Sequence, residues 1–341
     1  MSAIKRVKEA IQEIQKGNMI IMIDDEDREN EGDLVYAGVF STPQKVNFLT
    51  KKARGLICVA LTKEIAKKLN LTPMVPQNEE NFSTAFTISV DAKECHTGIS
   101  AFERDLTIKK LSSPTSKPED FVKPGHIFPL IAKEGGVLVR TGHTEGSVDI
   151  CKLAGVYPSA VICEIMNEDG SMARREDLKK FAKKHDLKIV YISDIVEYRL
   201  QFESLVKKTT ETEIEFDGVK FKKIEFIDHL NKTHYALINN PKTTSNVKFY
   251  KISKNIDFLL NEKLLKEYQK VLEYIKYNSG AIIFIDSHST EPKEYGIGAQ
   301  ILKNLGIKRL NLISNHKSEF NALKGFGIEI NKYLELKWKK Q

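Results

Sequence analysis

Short apolar runs alternate with segments of helical periodicity over the first 199 residues. Continuous apolar runs between polar or turn-forming residues are typical of β-strands, whereas apolar residues three or four positions apart are typical of helices. Interspersed strands and helices favour a mixed α/β fold, although the pattern alone leaves open whether the sheet is parallel or mixed. Strands are predicted at 19–23, 34–40, 56–61, 85–90, 127–131, 160–165 and 187–192, and helices at 45–53, 100–111, 145–154 and 175–185.

A second, smaller α/β unit is predicted after a charged stretch at 196–214. That stretch ends in Lys-Lys-Thr-Thr-Glu-Thr-Glu, a composition that favours a domain boundary, here near 200–210. We therefore predict one domain over residues 1–200 and another over residues 208–341. The clearest elements of the second domain are helices at 261–277 and 298–305 and strands at 281–285 and 310–313.

Length and composition are those of an ordinary globular protein. The 341 residues are 41% hydrophobic, enough for about two domains with a sizeable core. Apolar residues at positions 4, 7, 11 and 14 predict an N-terminal helix rather than a secretion signal, and no stretch is apolar enough to span a membrane. We therefore expect a cytoplasmic protein. The four scattered cysteines are expected to be reduced thiols: Cys58, Cys95, Cys151 and Cys163.

The formal net charge of +7 lies entirely in the C-terminal part. Residues 1–200 contain 29 basic and 29 acidic residues, which leaves 24 and 17 for residues 201–341. A basic half could bind an anionic partner such as nucleic acid. Its lysines are dispersed among acidic and apolar residues, however, which favours a solvated lysine-rich surface. We expect no nucleic-acid partner.

The densest block of charge follows the first predicted strand and reads Asp-Asp-Glu-Asp-Arg-Glu-Asn-Glu-Gly-Asp, residues 24–33. Carboxylates this close repel one another unless a cation lies among them, and Mg²⁺ is the usual candidate beside a phosphorylated substrate. The calcium-binding EF-hand pattern does not fit, because its sixth and twelfth positions are Glu29 and Val35. Composition alone leaves a solvated loop and a metal site equally open. The position of this loop between two apolar runs favours a site.

A second polar motif, Arg-Thr-Gly-His-Thr-Glu at 140–145, opens a predicted helix. A guanidinium, a hydroxyl and free backbone amides at a helix start can hold a phosphate, although such a hexapeptide is as often a simple helix cap. For three single residues a purely structural role is an alternative to a catalytic one. His126 could be a packed loop residue, Glu164 a salt-bridge partner and Cys58 a small buried hydrophobe.

Six ordered motifs together resemble 3,4-dihydroxy-2-butanone 4-phosphate synthase of riboflavin biosynthesis, and the likeness covers residues 1 to about 199. Besides the acidic and the Arg-Thr-Gly-His-Thr-Glu motifs, they are Arg-Gly-Leu-Ile-Cys, Thr-Gly-Ile-Ser-Ala, Pro-Gly-His-Ile-Phe-Pro-Leu and Cys-Glu-Ile-Met-Asn-Glu-Asp-Gly-Ser-Met-Ala-Arg. The resemblance implies a mixed-sheet domain and a Mg²⁺-dependent lyase. Such an enzyme converts D-ribulose 5-phosphate into 3,4-dihydroxy-2-butanone 4-phosphate and formate, as a homodimer with active sites near the subunit interface.

The resemblance also assigns roles to individual residues. Glu29 and His143 would hold the metal, and His126 and Glu164 would match the essential catalytic positions. Because imidazole is a softer ligand than Mg²⁺ normally selects, we predict that Mn²⁺ also supports activity. Asp24 and Cys58 match positions that border the family's site. The substrate-binding set implied is Arg28, Glu29, Asp33, Arg140, Thr141, Gly142, His143, Thr144 and Glu164.

The C-terminal half resembles, more weakly, the GTP cyclohydrolase II domain that is often fused behind the synthase. The likeness rests on His-Tyr-Ala-Leu at 234–237, Tyr-Gly-Ile-Gly-Ala-Gln-Ile-Leu at 295–302, 312–315 and Gly-Phe-Gly-Ile-Glu at 325–329. That family holds zinc with three cysteines, and residues 164–341 contain none. The sequence at 254–260 stands where the cysteines would fall, and 286–289 stands near where an arginine-rich substrate segment would lie. We predict a cyclohydrolase-like fold without zinc or cyclohydrolase activity.

Several alternatives stay open at this point. The C-terminal half could be an oligomerising appendage, a nucleotide-sensing module or an enzyme of altered chemistry, and a bifunctional enzyme that also opens GTP is the corresponding alternative for the whole chain. A basic binding protein with a merely solvated acidic loop is the non-enzymatic alternative.

Overall fold

The structure, a computed structural model, describes residues 2–82, 84–203, 205–229, 231–252, 260–286, 293–314 and 328–335. The chain divides into two compact units, Met1–Tyr198 and Arg199–Gln341. No helix in the described ranges combines the length and the apolar character needed to cross a bilayer.

The first unit is built around a seven-stranded sheet in the order β4-β5-β3-β6-β2-β1-β7. The β1–β7 and β3–β5 pairs are parallel and the other pairs are antiparallel, so the sheet is mixed. The strands are β1 Ile20–Ile23, β2 Gly32–Ala37, β3 Cys58–Leu61, β4 Val90–Ala92, β5 Phe121–Ile131, β6 Ser159–Glu164 and β7 Lys188–Tyr191. The helices are α1 Ala3–Gln15, α2 Pro43–Phe48, α3 Lys63–Lys68, α4 Ala101–Leu111, α5 His143–Leu153 and α6 Arg175–His185, followed by α7 Ile192–Phe202, within which the two units divide.

Both faces of this sheet are covered. Alternate residues of the central strands belong to two different hydrophobic clusters, one with α2, α4 and α6 and the other with α1 and α5. Strands β1, β2 and β3 are consequently buried at every residue. Burial on both faces explains why these strands are continuous apolar runs in the sequence rather than alternating ones.

Most strand and helix predictions of the first unit are confirmed, and three need correction. The predicted strand at 85–90 forms only isolated bridges at Phe86 and Thr87, and the regular strand begins at Val90. The strand predicted at 34–40 ends at Ala37, because Gly38 begins a 3₁₀ turn where any Cβ would meet the Ser112 hydroxyl. The helix predicted at 45–53 becomes a π-turn over Leu49–Ala53.

The second unit contains another seven-stranded mixed sheet, in the order β14-β13-β11-β12-β10-β9-β8. Strands β11, β12, β13 and β14 run parallel, and β8, β9 and β10 join them antiparallel. The strands are β8 Val206–Phe216, β9 Val219–Asp228, β10 Thr233–Asn239, β11 Thr244–Ile252, β12 Gly280–Asp286, β13 Arg309–Ile313 and β14 Glu329–Leu334. The helices are α8 Glu262–Tyr277 and α9 Lys293–Asn304.

The four elements predicted for this unit are present, with bounds shifted by up to five residues. The charged stretch at 196–214, however, is not a linker, because it is the end of α7 followed by the edge strand β8. Seven consecutive residues of β8 are exposed, and this removes the alternation that marks a half-buried strand. The predictions that concern 254–259, 287–289, 315 and 325–327 lie outside the described residues.

Candidate active site

Four strand ends meet at one edge of the first sheet. Because β2 and β6 are antiparallel, Asp33 at the start of β2 lies directly opposite Glu164 at the end of β6. Cys58, the first residue of β3, pairs with Ile162 on the other side of β6. The acidic loop connects β1 to β2 at the same edge. Polar residues from segments far apart in sequence therefore lie close together at this edge of the sheet.

A cavity of about 320 Å³ opens at this edge, within the size range of small-molecule sites. Eight of the residues predicted to form the site line it: Arg28, Glu29, Asp33, Cys58, Arg140, His143, Thr144 and Glu164. Four others do not line it, namely Asp24, His126, Thr141 and Gly142.

Asp24 fixes the conformation of the acidic loop through hydrogen bonds. Its buried carboxylate accepts hydrogen bonds from the backbone amides of Glu29 (3.1 Å) and Glu31 (2.8 Å). It also accepts one from Nη1 of Arg28 at 2.9 Å. These bonds turn the loop so that the Glu29 side chain faces the cavity, where Arg28 Nη2 lies 2.7 Å from Glu29 Oε1.

His143 is the buried imidazole among these carboxylates. Its Nδ1 lies 3.8 Å from Glu29 Oε2, its Nε2 lies 4.0 Å from Asp33 Oδ1, and its side chain is 6% exposed. Burial lowers the pKa of His143, but the neighbouring carboxylates, Asp33 first among them, raise it by more, to about 9. Burial raises the pKa of Asp33 above its usual value, an effect that His143 opposes and Glu164 strengthens.

The same group of side chains fits a divalent cation. One oxygen or nitrogen atom from each of Asp24, Glu29 and His143 lies within 4.8 Å of the others. The buried Nε2 of His143 has no hydrogen-bond partner among the described residues, which leaves a possible ligand atom on this imidazole. Asp24 is already engaged by the loop amides and by Arg28. Glu29 and His143, the two predicted metal ligands, both belong to this group.

The Arg140 to Thr144 segment leads into α5. Gly142 precedes the helix and provides no side-chain cap, so the first-turn amides have no intrahelical acceptor. The buried Thr144 and the guanidinium of Arg140 line the cavity beside this helix start. A helix N-terminus combined with a guanidinium is a common way to bind phosphate.

Glu164 also lines the cavity, where the turn before β3 holds its side chain. Its Oε2 accepts a hydrogen bond from the backbone amide of Leu56 at 2.8 Å. Gly55 makes this approach possible, because a Cβ there would lie 2.5 Å from that same oxygen. Oε1 of Glu164 receives no hydrogen bond from the described residues and can exchange a proton with a ligand.

His126 stands on β5, outside the cavity, and pairs with a buried aspartate. Its Nδ1 lies 2.7 Å from Asp91 Oδ2, and its backbone amide donates to Asp91 Oδ1 at 2.8 Å. The aspartate fixes the ring and leaves Nε2 available, since the His126 side chain is 44% exposed. Gly98 lies against this pair, since a Cβ there would be 2.6 Å from His126 Nδ1, and the next residue, Ile99, is 55% exposed.

The sequence predictions missed some functional neighbours. Asp91 had no signal of its own, because it is a single acidic residue directly after the strand predicted at 85–90. Glu31 belongs to the acidic motif but was given no role, although it lines the cavity. The remaining lining residues that the predictions missed come mostly from an irregular segment without periodicity: Glu80, Phe82, Thr84, Phe86, Leu130 and Ile162.

The family model for 3,4-dihydroxy-2-butanone 4-phosphate synthase matches residues 8–198 of this chain. A curated protein of that name from Wolinella succinogenes is 54% identical over 342 residues, covering 98% of this chain and 97% of its own. This chain belongs to the 3,4-dihydroxy-2-butanone 4-phosphate synthase family. The resemblance inferred from the six motifs is thereby confirmed.

Two solved structures of synthases are similar to this chain, one of them over nearly its whole length. A two-domain 3,4-dihydroxy-2-butanone 4-phosphate synthase from A. baumannii is 38% identical, with a TM-score of 0.79 over 97% of this chain and 99% of that one. A second synthase structure, described as a complex with two magnesium ions, has a TM-score of 0.56 and 38% identity and covers 58% of this chain and 97% of its own. A GTP cyclohydrolase II model matches only residues 286–335.

Proposed function

We propose that this chain converts D-ribulose 5-phosphate into 3,4-dihydroxy-2-butanone 4-phosphate and formate, with Mg²⁺ as cofactor. The two products together contain every atom of the substrate, so the protein has only to rearrange bonds and move protons. The observation that carries this proposal is the single cavity lined by acidic-loop carboxylates, His143, Arg140 and Glu164. A charged sugar phosphate does not diffuse across a bilayer, which supports a cytoplasmic location.

Glu29 and His143 are the side chains that would hold the metal. A bound divalent cation would supply Lewis-acid stabilisation of negative charge at the substrate's C2 oxygen. Asp24 would act by keeping the loop in the conformation that presents Glu29. Arg28 would contribute a second positive charge beside the same carboxylate, 2.7 Å from it.

Arg140 and Thr144 would bind the phosphate at the start of α5, with Thr141 and Gly142 shaping the approach. Arg28 and Asp33 would contact the sugar hydroxyls from the acidic side of the cavity. This division places the dianionic end of the substrate beside a guanidinium and its uncharged end among carboxylates. The arrangement orients the pentulose in one direction.

Glu164 would remove and return protons through Oε1, because Oε2 is bound to the Leu56 amide. Proton removal next to the C2 ketone generates an enediolate. The later steps lose one water, shift the carbon skeleton and add one water at C4 so that C4 leaves as formate, and they require protons at further carbons. One carboxylate is a poor agent for all of these transfers, so a second acid-base group is needed.

We propose that His126 is this second group and that it acts in the cavity of a second copy of the chain. In its own chain His126 does not line the cavity, its side chain is 44% exposed, and the exposed Ile99 follows Gly98, which packs against it. An exposed histidine that lies outside the cavity of its own chain supports a homodimer in which each copy completes the other's site.

Mixing two inactive variants tests this shared site. We expect His126→Ala and Glu164→Gln to be inactive when pure, whereas a mixture that exchanges subunits recovers about a quarter of wild-type activity, because half of all dimers would be mixed and each would have one intact site. The measurement is formate release after co-refolding, with light scattering to report the dimer. A mixture that stays inactive while dimers form would place His126 in its own subunit's site or outside catalysis.

A coupled formate assay tests the function itself. D-ribulose 5-phosphate with Mg²⁺ is expected to yield one formate per substrate, and EDTA is expected to abolish turnover. Mn²⁺ added after chelation is expected to restore it, because Glu29 and His143 form a mixed oxygen and nitrogen ligand pair. GTP with Zn²⁺ serves as the negative substrate. Formate production that persists in EDTA would overturn the metal role.

For the second unit we propose scaffolding rather than cyclohydrolase chemistry. Residues 164–341 contain no cysteine, so three thiolate ligands for zinc are not present there. The family match over 286–335 supports a shared fold for this part. A regulatory response to GTP or to a flavin is the alternative, and it would appear as a change in synthase kinetics on adding either compound.

A further inference from the structure

Two residues between β3 and β4 contact the arginines of the cavity, Phe82 both Arg140 and Arg28 and Thr84 only Arg140, and Glu80 binds the backbone amides of these two residues. We call these three residues the clamp. All of them line the cavity, and none belongs to a regular strand or helix. Because this short segment contacts both cationic side chains, it can set the positions of the two groups that would bind the substrate.

The guanidinium of Arg140 is fixed on three sides. Nε donates to the carbonyl of Phe82 at 3.1 Å, and Nη2 donates to the hydroxyl of Thr84 at 3.0 Å. Nη1 donates to Glu145 at 2.6 Å. A guanidinium has five N–H groups, so one remains on each of Nη1 and Nη2. Two N–H groups on neighbouring nitrogens match the bidentate geometry that a phosphate accepts.

Glu145 supports this arrangement from inside the protein. Its carboxylate is buried, and its other oxygen accepts the backbone amide of Lys133 at 3.0 Å. Gly142 leaves room for the pair, because a Cβ at that position would lie 2.3 Å from Nη1 of Arg140. The contact between Arg140 and Glu145 is thus built into the start of α5.

The other arginine is contacted by the ring of Phe82. The guanidinium carbon of Arg28 lies 5.1 Å from the ring centroid, a cation–π distance. Glu80 holds the clamp together, since its two carboxylate oxygens accept the backbone amides of Phe82 (2.9 Å) and Thr84 (2.6 Å). The same turn therefore sets the position of both guanidinium groups.

We propose that the clamp is the positioning element of the substrate site, and that Thr84 and Phe82 preset Arg140 and Arg28 to bind the phosphate monoester and the sugar end of a short ketose phosphate. This inference rests on the proposed function. The clamp residues act through the arginines, so they govern affinity for the phosphorylated substrate rather than proton transfer.

Thr84→Val is the decisive variant, because valine keeps the shape of threonine and removes only the hydroxyl. We expect KM for D-ribulose 5-phosphate and the inhibition constant of inorganic phosphate each to rise about tenfold, the effect of losing one hydrogen bond to a charged group, with kcat within about twofold of wild type. Thr84→Ser restores the hydroxyl and is expected to match wild type. Phe82→Leu is expected to raise KM about fivefold, and Phe82→Tyr to keep it.

A double-mutant cycle with Arg140→Ala sharpens the test. If Thr84 acts only through Arg140, Thr84→Val causes no further rise in the phosphate inhibition constant in that background. Unchanged KM and phosphate inhibition in Thr84→Val would overturn the inference, as would a loss of kcat and melting temperature without a change in KM. Absence of formate from the wild-type protein would instead refute the proposed function, while phosphate binding measured by calorimetry would still test the clamp.

Discussion

Replacing Glu164 by glutamine is expected to lower kcat for formate release by about two to four powers of ten, the usual contribution of one acid-base group. Glutamine retains the acceptor for the Leu56 amide and the shape of the side chain, so the turn before β3 stays in place. The change removes only the basic oxygen at Oε1. KM is expected to change little, because the proposed phosphate contacts come from Arg140 and Thr144 rather than from Glu164.

Glu168→Gln is the matched control for this variant. Glu168 is exposed and is four residues further along the chain, outside the cavity lining. Its replacement causes the same loss of one carboxylate and is expected to leave both kinetic constants at wild-type values. Near-normal turnover by Glu164→Gln, with an unchanged fold by circular dichroism, would contradict the proton-transfer role.

Removing a metal ligand should have an effect of comparable size. We expect Glu29→Gln to raise the Mg²⁺ concentration for half-maximal activity by at least about a hundredfold, since loss of even an outer-shell partner costs 10- to 100-fold in metal affinity. His143→Asn is expected to act in the same direction. The measurement is formate release against Mg²⁺ concentration, together with direct titration of Mn²⁺ binding by calorimetry or electron spin resonance.

Asp27→Asn controls for the general charge of the acidic loop. Asp27 is exposed and is not among the residues that line the cavity, so its replacement removes one negative charge without removing a proposed ligand. Wild-type metal affinity in Asp27→Asn and weakened affinity in Glu29→Gln would separate coordination from long-range attraction. Equal weakening in both variants would show that the loop attracts the ion only through its net charge.

The architecture around the site could be predicted from the sequence because its strands are buried on both faces. Continuous apolar runs at β1, β2, β3 and β6 left little doubt about their existence, and the polar motifs begin or end within a residue or two of them. Motif order then identified the family. The functional roles of Glu29, His143, Glu164 and His126 came from the resemblance, and they remain predictions that the experiments above address.

Other features of the site and of the second unit could not be predicted from hydrophobic periodicity in the sequence. The clamp residues lie in an irregular segment, where hydrogen bonds from Glu80 rather than a strand ladder fix the backbone. Asp91 acts through His126, which is 35 residues away in sequence. In the second unit, β8 is polar or charged at most positions because it is the edge strand, and such a composition is also typical of a domain boundary. Each case depends on tertiary contacts that local pattern does not encode.

The direct pairing of Asp33 with Glu164 links turnover to the alignment of two strands. Side chains alternate across a sheet, so a slip of one residue between β2 and β6 would send one carboxylate to the opposite layer. Formate release during refolding would then show when the native pairing of β2 with β6 has formed. Hydrophobic collapse without that pairing would release no formate. Enzyme activity can therefore be used to follow the pairing of β2 with β6 during folding.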